Sequence, residues 1–354
     1  MRHKFLAIGH PGGVLFAPIV LAGLILCATP SAWAQSLAER QFITFQAEND
    51  LFANLANTDR HYTNGLQASW LSAQRDLPDW LESMTALPLL GGGQVVSQTH
   101  RIGIALGHSI FTPDDTDLSD PIVTDRPYAA WLHTSFTVQS VRRTDTGSAL
   151  QDQWKLDLGV VGPAAFGEQV QNNWHDLIGA EKAHGWDNQI KNEPGLNLTF
   201  ERSWRTGFFE TPSFLGLQTD FIPYGVAALG NVQTYGALGG GLRIGPGLPD
   251  DFGPPRIYPG IGGSEWFDTA DGFDWYLFAG AEARLIGRDI FLDGNSFRSS
   301  HSVDKKNLVT DMRLGAVAIL GQARISATHV FRSREFHGQT KPDQFGSVTL
   351  SWGF

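Results

Sequence analysis

The chain has 354 residues, a formal net charge of −10, 40 glycines and a single cysteine. Because the lysines and arginines are dispersed and outnumbered by acidic residues, the composition gives no support to nucleic-acid binding. After the first 34 residues, no stretch holds 18 apolar residues in a row, which excludes a helical membrane protein.

The first 34 residues are typical of an export signal. Their start is positively charged, residues 14–26 are apolar, and residues 32–34 read Ala-Trp-Ala, an A-x-A cleavage site. The only cysteine, Cys27, is preceded by a residue too bulky for a lipoprotein cleavage site. We therefore expect a signal peptide over residues 1–34 and a mature barrel domain over 35–354 that has no thiol chemistry.

Apolar and polar residues alternate in segment after segment of the mature chain. In the first segment, Ile43, Phe45 and Ala47 point one way, and Thr44, Gln46, Glu48 and Asp50 point the other. A period of two sustained this often is typical of a transmembrane β-barrel with its apolar side chains outward. Twelve strands are predicted, near residues 42–50, 62–73, 99–110, 129–142, 152–162, 195–205, 213–228, 232–245, 273–286, 307–320, 322–333 and 343–354.

The last predicted strand ends on an aromatic residue. Val348, Leu350, Trp352 and Phe354 alternate with small or polar residues. This pattern resembles the assembly signal of bacterial outer-membrane barrels, so we expect the barrel assembly machinery to recognise this strand. A soluble β-sandwich could alternate similarly, but the export signal and the missing cysteines favour an all-β transmembrane antiparallel barrel.

Charged residues of both signs fall on the predicted inner face. Glu282, Arg284, Asp311 and Arg313 are examples. We expect such residues to form ion pairs that fill the interior, and a pore lining is the alternative. The connection 246–272 is rich in Gly and Pro and is predicted to be a loop.

The connection 163–194 has the most specific polar pattern. Gln171 and His175 are four residues apart and are bounded by Gly167 and Gly179. This spacing predicts a short helix in an extracellular loop, with Gln171 and His175 one turn apart on one face. An imidazole there can accept a proton from water near neutral pH.

Strand order brings further polar residues to the same end of the barrel. Asp50 and Thr63 stand at neighbouring strand ends, and the parity of each strand places both on the polar, inward face. Topology therefore predicts that Asp50, Thr63, Gln171 and His175 meet at one rim. The other histidines His61, His108, His133 and His184 are interpreted as structural.

Several motifs together resemble the outer-membrane lipid A 3'-O-deacylase family. They are Asn49-Asp50, the DR-x-YT-x-G run over 59–65, Asp125-Arg126, GPAAFGEQVQNNWHDLIGAEK over 162–182 and GWDNQIKNEPG over 185–195. The resemblance implies a twelve-stranded barrel in the outer membrane of a Gram-negative bacterium. It also implies calcium dependence and hydrolysis of an ester-linked acyl chain from lipid A, the anchor of lipopolysaccharide.

The resemblance also implies roles for particular residues. It makes His175 the general base that activates water, surrounded by Asn49, Asp50, Thr63 and Gln171. Calcium prefers oxygen ligands, and Asp50, Asn49, Thr63 and Glu181 offer oxygens near the rim; which of them bind the ion is left open. The ion would polarise the ester carbonyl, with Gln171 or Asn49 as a hydrogen-bond donor.

Two other functions are compatible with the sequence. An outer-membrane phospholipase would also use calcium, but with a serine nucleophile paired with histidine, and no serine adjoins His175 in sequence. A pore or scaffold barrel would have no catalytic site. Neither an H-E-x-x-H zinc motif nor a G-x-S-x-G elbow is present. We expect a monomer surrounded by outer-membrane lipid.

Overall fold

Antiparallel strands make up most of the structure. The computed structural model describes residues 36–53, 60–85, 87–88, 93–205, 211–214, 216–257, 263–268 and 272–354. The predicted signal peptide lies outside these residues. Leu37–Phe354 form one unit of the chain.

The described elements follow one another in a simple order. The strands are β1 (Phe42–Asn49), β2 (His61–Leu71), β3 (Val95–Thr112), β4 (Ala129–Thr144), β5 (Ala149–Val161), β6 (Glu193–Arg205), β7 (Thr211–Phe214), β8 (Leu217–Gly230), β9 (Gln233–Gly245), β10 (Phe273–Asp289), β11 (Leu308–Leu320), β12 (Ala323–Arg332) and β13 (Asp343–Gly353). The helices are α1 (Asp79–Thr85), α2 (Gly167–Ile178) and α3 (Ile290–Asp293), and 3-10 turns cover Asp50–Phe52, Pro163–Ala165 and Gly185–Asn188. Within the described residues, no helix has the length and apolar character needed to cross a membrane.

Twelve of these strands close into an antiparallel barrel, as predicted. Neighbours in sequence pair with one another, β6 pairs directly with β8, and β13 pairs with β1 to complete the ring. The short strand β7 pairs with β8 at the edge of the sheet. The sequence predicted a single strand over 213–228, whereas a turn at Gly216 with φ 77° separates β7 from β8. Glycine adopts this left-handed φ without steric cost.

The predicted alternation matches the orientation of the side chains. On β1, Thr44, Gln46 and Glu48 are buried, whereas Phe45 is exposed. On β11, Asp311 is buried between the exposed side chains of Met312 and Thr310. Apolar side chains therefore cover the outside of the barrel and polar ones its lumen, the arrangement that a bilayer requires.

Part of the connection between β9 and β10 fills the lumen. We call residues 249–257 and 263–268 the lumen segment. The amide of Gln46 on β1 donates to the Pro255 carbonyl (3.3 Å), and the Ile257 N–H donates to Glu48 Oε1 (3.1 Å). Gln153 on β5 donates to the Gly263 carbonyl (2.7 Å). The described residues of this connection have no regular secondary structure, as predicted, but they lie inside the barrel.

Ion pairs fix the lumen segment and the wall around it. Asp251 accepts from Arg243 and, at 2.9 Å, from Arg324, while Arg256 pairs with Glu282 at 2.6 Å. Arg284 bridges Glu282 and Asp311 at 2.8 Å to each. Of the inward charges named from the sequence, Glu282, Arg284 and Asp311 thus form ion pairs, as expected, whereas Arg313 donates to the Tyr224 hydroxyl.

Candidate active site on the outer wall

Helix α2 begins and ends at residues with left-handed backbone. The 3-10 turn Pro163–Ala165 leads into Phe166, which has φ 59°, and α2 stops at Gly179 with φ 73°. The predicted helix is therefore present, and both glycines that bound it in the sequence stand at its ends. Gln171 and His175 are buried on one face, whereas Leu177 on the other face is 73% exposed.

Close contacts hold α2 against the outside of the barrel. A Cβ atom at Gly167 would lie 2.5 Å from the Trp186 ring and 2.6 Å from Ala130 Cβ, so only glycine permits this approach. The outward-facing His108 of β3 donates its Nε2–H to the Ala165 carbonyl at 2.7 Å. His108 is thus a structural histidine, as interpreted from the sequence, and it attaches the start of α2 to the wall.

A cleft of about 370 Å³ lies between α2 and the outer face of β1–β3. Its polar lining consists of Asn49, Thr63, Asn64, Gln171, Asn173 and His175. Its apolar lining consists of Ala47, Leu51, Phe52, Leu66, Ile110, Val170, Trp174 and Leu177. Since Leu66, Trp174 and Leu177 are exposed on the outer surface, the apolar half of the cleft opens toward membrane lipid.

The predicted orientation of Thr63 is wrong, because β2 contains a bulge. Tyr62 pairs with Phe111 and Asn64 pairs with Ile110, so Thr63 is an extra residue between them. Tyr62 turns into the lumen, where its hydroxyl donates to Glu48 (2.8 Å), and Thr63 lines the outer cleft instead. Bulges commonly redirect a side chain in this way beside active sites.

The site is accordingly on the outer wall rather than on the inward face of a rim. On β1, Asn49 follows the inward-pointing Glu48 and therefore points outward. It pairs with Asn64 of β2, and both residues line the cleft. The Thr63 hydroxyl is hydrogen-bonded to the Thr112 hydroxyl at 2.7 Å. The structure therefore brings Thr63, Gln171 and His175 together, as topology predicted, but on the lipid side. Asn49 lines the cleft with them, whereas Asp50, the fourth residue of that prediction, does not.

Asp50 and Glu181 are placed differently from these four residues. Asp50 is buried at the start of a 3-10 turn, where its Oδ2 accepts from the Arg60 N–H at 2.8 Å. Neither Asp50 nor Glu181 is among the described residues that line the cleft. The Glu181 side chain is exposed, and its backbone carbonyl accepts a short hydrogen bond from His175 Nδ1–H.

Hydrogen bonds to neighbouring groups orient His175 and Gln171. A carbonyl oxygen can only accept, so the contact with Glu181 places the proton of neutral His175 on Nδ1 and its lone pair on Nε2. The Gln171 Oε1 accepts from Trp186 Nε1–H at 2.8 Å, which fixes the orientation of the amide. Trp186 was not predicted as a functional residue, although the GWDN motif that contains it is part of the family resemblance.

The Asp125-Arg126 motif lies in a buried polar network near the entry to β2. His61 contacts Asp125 at 3.4 Å and Asp343 at 2.7 Å, and Arg126 pairs with Glu335 at 3.3 Å. Burial raises the pKa of Asp125, but hydrogen bonds from His61 and from backbone N–H groups outweigh it and lower the pKa overall. The motif therefore connects the chain before β4 to the start of β2 and to the β12–β13 connection, and its residues do not line the cleft.

The donor atoms in the cleft are suited to a hard cation. Among the described residues, no group of three or more His, Cys, Asp or Glu side chains could hold a metal ion. Asn49 and Thr63 line the cleft and carry side-chain oxygens; Asn49 Oδ1 accepts from the Leu51 N–H at 2.8 Å. Amide, hydroxyl and backbone oxygens are the ligands that calcium accepts, whereas zinc prefers imidazole and thiolate.

The fold and the cleft together define a class of protein. This is an outer-membrane β-barrel with a loop segment inside its lumen and a polar, histidine-containing site on its lipid-facing wall. A model of the family described as outer membrane protein LpxR matches residues 19–354, and the chain belongs to this LpxR family. Membership supports an outer-membrane lipid A deacylase, which is a hydrolase acting in the Gram-negative outer membrane.

A solved structure from Salmonella typhimurium supports the fold. The structure is similar to LpxR from Salmonella typhimurium, with a TM-score of 0.67 and 22% identity, covering 88% of this chain and 99% of that one. The translocator domain of the autotransporter NalP from Neisseria meningitidis has a TM-score of 0.41 and 12% identity, covering 90% and 89% of the two chains. A search of curated proteins found no match.

Proposed function

We propose that this protein is a calcium-dependent hydrolase that removes the 3'-linked acyloxyacyl chain from lipid A. The observation that carries the proposal is the two-sided cleft on the outer wall. Its polar end contains His175 and oxygen donors, and its apolar end opens toward lipid. An amphiphile in the outer leaflet can place an ester at the polar end while its acyl chain remains in an apolar environment.

His175 is proposed as the general base. Its Nδ1–H is held by the Glu181 carbonyl, so Nε2 is the atom that takes a proton from the attacking water. The water oxygen then attacks the ester carbonyl, and the negative charge that develops on the carbonyl oxygen requires a donor or a cation. When this intermediate collapses, the C–O bond to the sugar breaks and the sugar oxygen takes the proton from Nε2. The amide of Gln171, oriented by Trp186, and that of Asn49 are the candidate donors.

Calcium is proposed to bind beside Asn49 and Thr63. Both line the cleft and carry side-chain oxygen atoms, and Asp50, the next residue after Asn49, adds a negative charge. When bound, the ion would supply electrostatic stabilisation of the developing oxyanion. The direct contribution of Glu181 is its carbonyl group, which orients His175, so its exposed side chain is not included among the proposed ligands.

The deciding experiment measures acyl release from purified lipid A by mass spectrometry. The refolded barrel is incubated with calcium, with a chelator, and as His175→Ala. We expect loss of the 3'-linked acyloxyacyl group with calcium alone, and intact lipid A in the other two reactions. Intact lipid A in the presence of calcium and a folded barrel would refute the proposed substrate.

An outer-membrane phospholipase is the second candidate. Its serine nucleophile would have to adjoin His175, and none of the described residues that line the cleft is a serine. The same assay with phospholipid in place of lipid A distinguishes the two enzymes by their substrate. The mass of the protein during turnover distinguishes their mechanisms, because a water-based mechanism leaves no acyl group on the protein.

A further inference from the structure

Side chains of α2 are hydrogen-bonded to the chain that follows the helix. We call residues 180–186 the return segment. His175 donates to the Glu181 carbonyl, and Gln171 accepts from the Trp186 indole at 2.8 Å. Between these two contacts, Asn172 Oδ1 accepts the Ala183 N–H at 3.0 Å, and its Nδ2 donates to the Ala183 carbonyl at 3.4 Å.

The end of the helix directs the return segment back along α2. Gly179 is left-handed at φ 73°, and the Ala180 N–H donates to the His175 carbonyl at 2.9 Å. The chain reverses there, as left-handed helix ends commonly do. The order of contacts is consequently antiparallel to the helix, with residue 181 opposite 175, 183 opposite 172, and 186 opposite 171.

From this geometry we propose that Asn172 is a positioning residue for the catalytic base. It holds both backbone groups of Ala183, a buried residue two positions from Glu181. It thereby fixes the carbonyl that orients the His175 ring. Asn172 is not among the described residues that line the cleft, so it acts through the return segment rather than on substrate. This inference rests on the proposed role of His175.

The test compares Asn172→Ala with the wild type in lipid A hydrolysis and in NMR of protein labelled with ¹⁵N-histidine. We expect kcat to fall about tenfold to a hundredfold, because a small displacement of a catalytic group is costly, while KM changes little. The imidazole ¹⁵N signals of His175, identified by their absence from His175→Ala, should change from one tautomer to a mixture of both.

Two further variants make the test specific. Asn172→Asp keeps the acceptor for the Ala183 N–H and should recover part of the lost kcat; it also serves as the test variant if Asn172→Ala does not fold. Asp176→Asn is the matched control: it removes an exposed ion pair (2.9 Å) between α2 and Lys182 of the return segment, and such pairs contribute little. We expect wild-type kcat and tautomer for this control.

Each outcome decides a separate question. A wild-type kcat and an unchanged His175 tautomer in the Asn172 variants would overturn the positioning role. A wild-type enzyme without activity on lipid A would refute the proposed function, and the tautomer measurement would still test the structural part of the inference. If Asp176→Asn lowers kcat as much as Asn172→Ala does, general loosening of the return segment explains the effect, and the positioning role of Asn172 is refuted.

Discussion

Single side chains decide how the cleft is built on the lipid-facing wall. The clearest case is Thr63, which the bulge in β2 turns outward to join Asn49. A period-two pattern cannot reveal this, because one extra residue reverses the parity of everything beyond it. The sequence identified the residue types and their shared end of the barrel, but not the side of the wall on which they meet.

Trp186 offers a residue-scale test of how Gln171 is oriented. Trp186→Phe removes the donor to Gln171 Oε1 while keeping the ring in its apolar cluster. A hydrogen bond of this kind contributes about 1 kcal/mol, so we expect kcat to fall about fivefold with the barrel intact. Trp80→Phe, an exposed tryptophan on α1, is the control and should match the wild type. Equal activity of both variants would exclude a role for the indole.

Ala47 lies in the lining of the cleft on β1 and offers a test of acyl-chain binding. Ala47→Leu narrows the apolar half without placing a polar group in lipid. We expect a higher KM for a long acyl substrate and little change for a short soluble ester. Ala316→Leu, at an exposed position on β11, is the control. Identical chain-length profiles for the two variants would show that the acyl chain does not occupy this half of the cleft.

At the scale of elements, α2 is attached to the barrel without being part of its sheet. Gly167→Ala would push the helix from Trp186 and Ala130. Acyl release should then fall by about tenfold or more, while the thermal midpoint of the barrel stays near that of the wild type. In Gly241→Ala, a strand position with open space around the added Cβ, activity should be retained. An unfolded Gly167→Ala barrel would show that α2 is required for folding instead.

Predictability also differs between elements. The barrel strands could be located from alternation, because inward positions face a polar lumen and outward positions face lipid. Helix α2 could be located from the glycines at its ends. The lumen segment could not be located, since its position depends on distant partners such as Gln46, Gln153 and Arg324. Such long-range contacts leave no periodic signal in the local sequence.

For the whole molecule, the lumen segment occupies part of the barrel interior. Its contacts with β1, β5 and β12 predict that the wild type gives no steady conductance in planar lipid bilayers. Asp251→Ala, which loses the pairing with Arg243 and Arg324, should show intermittent openings. A steady, ohmic channel in the wild type would favour the pore interpretation of the sequence.

The central claim is that acyl release takes place between α2 and the outer wall. Residues 35–354 contain no cysteine, so single cysteines can be introduced into that part of the chain at Leu66, in the cleft, and at Leu242, an exposed outward residue on β9. Each variant is alkylated with a bulky reagent, and acyl release from lipid A is measured by mass spectrometry. We predict that modification at position 66 abolishes release and that modification at 242 does not. Full activity of a completely modified position 66 would contradict the claim.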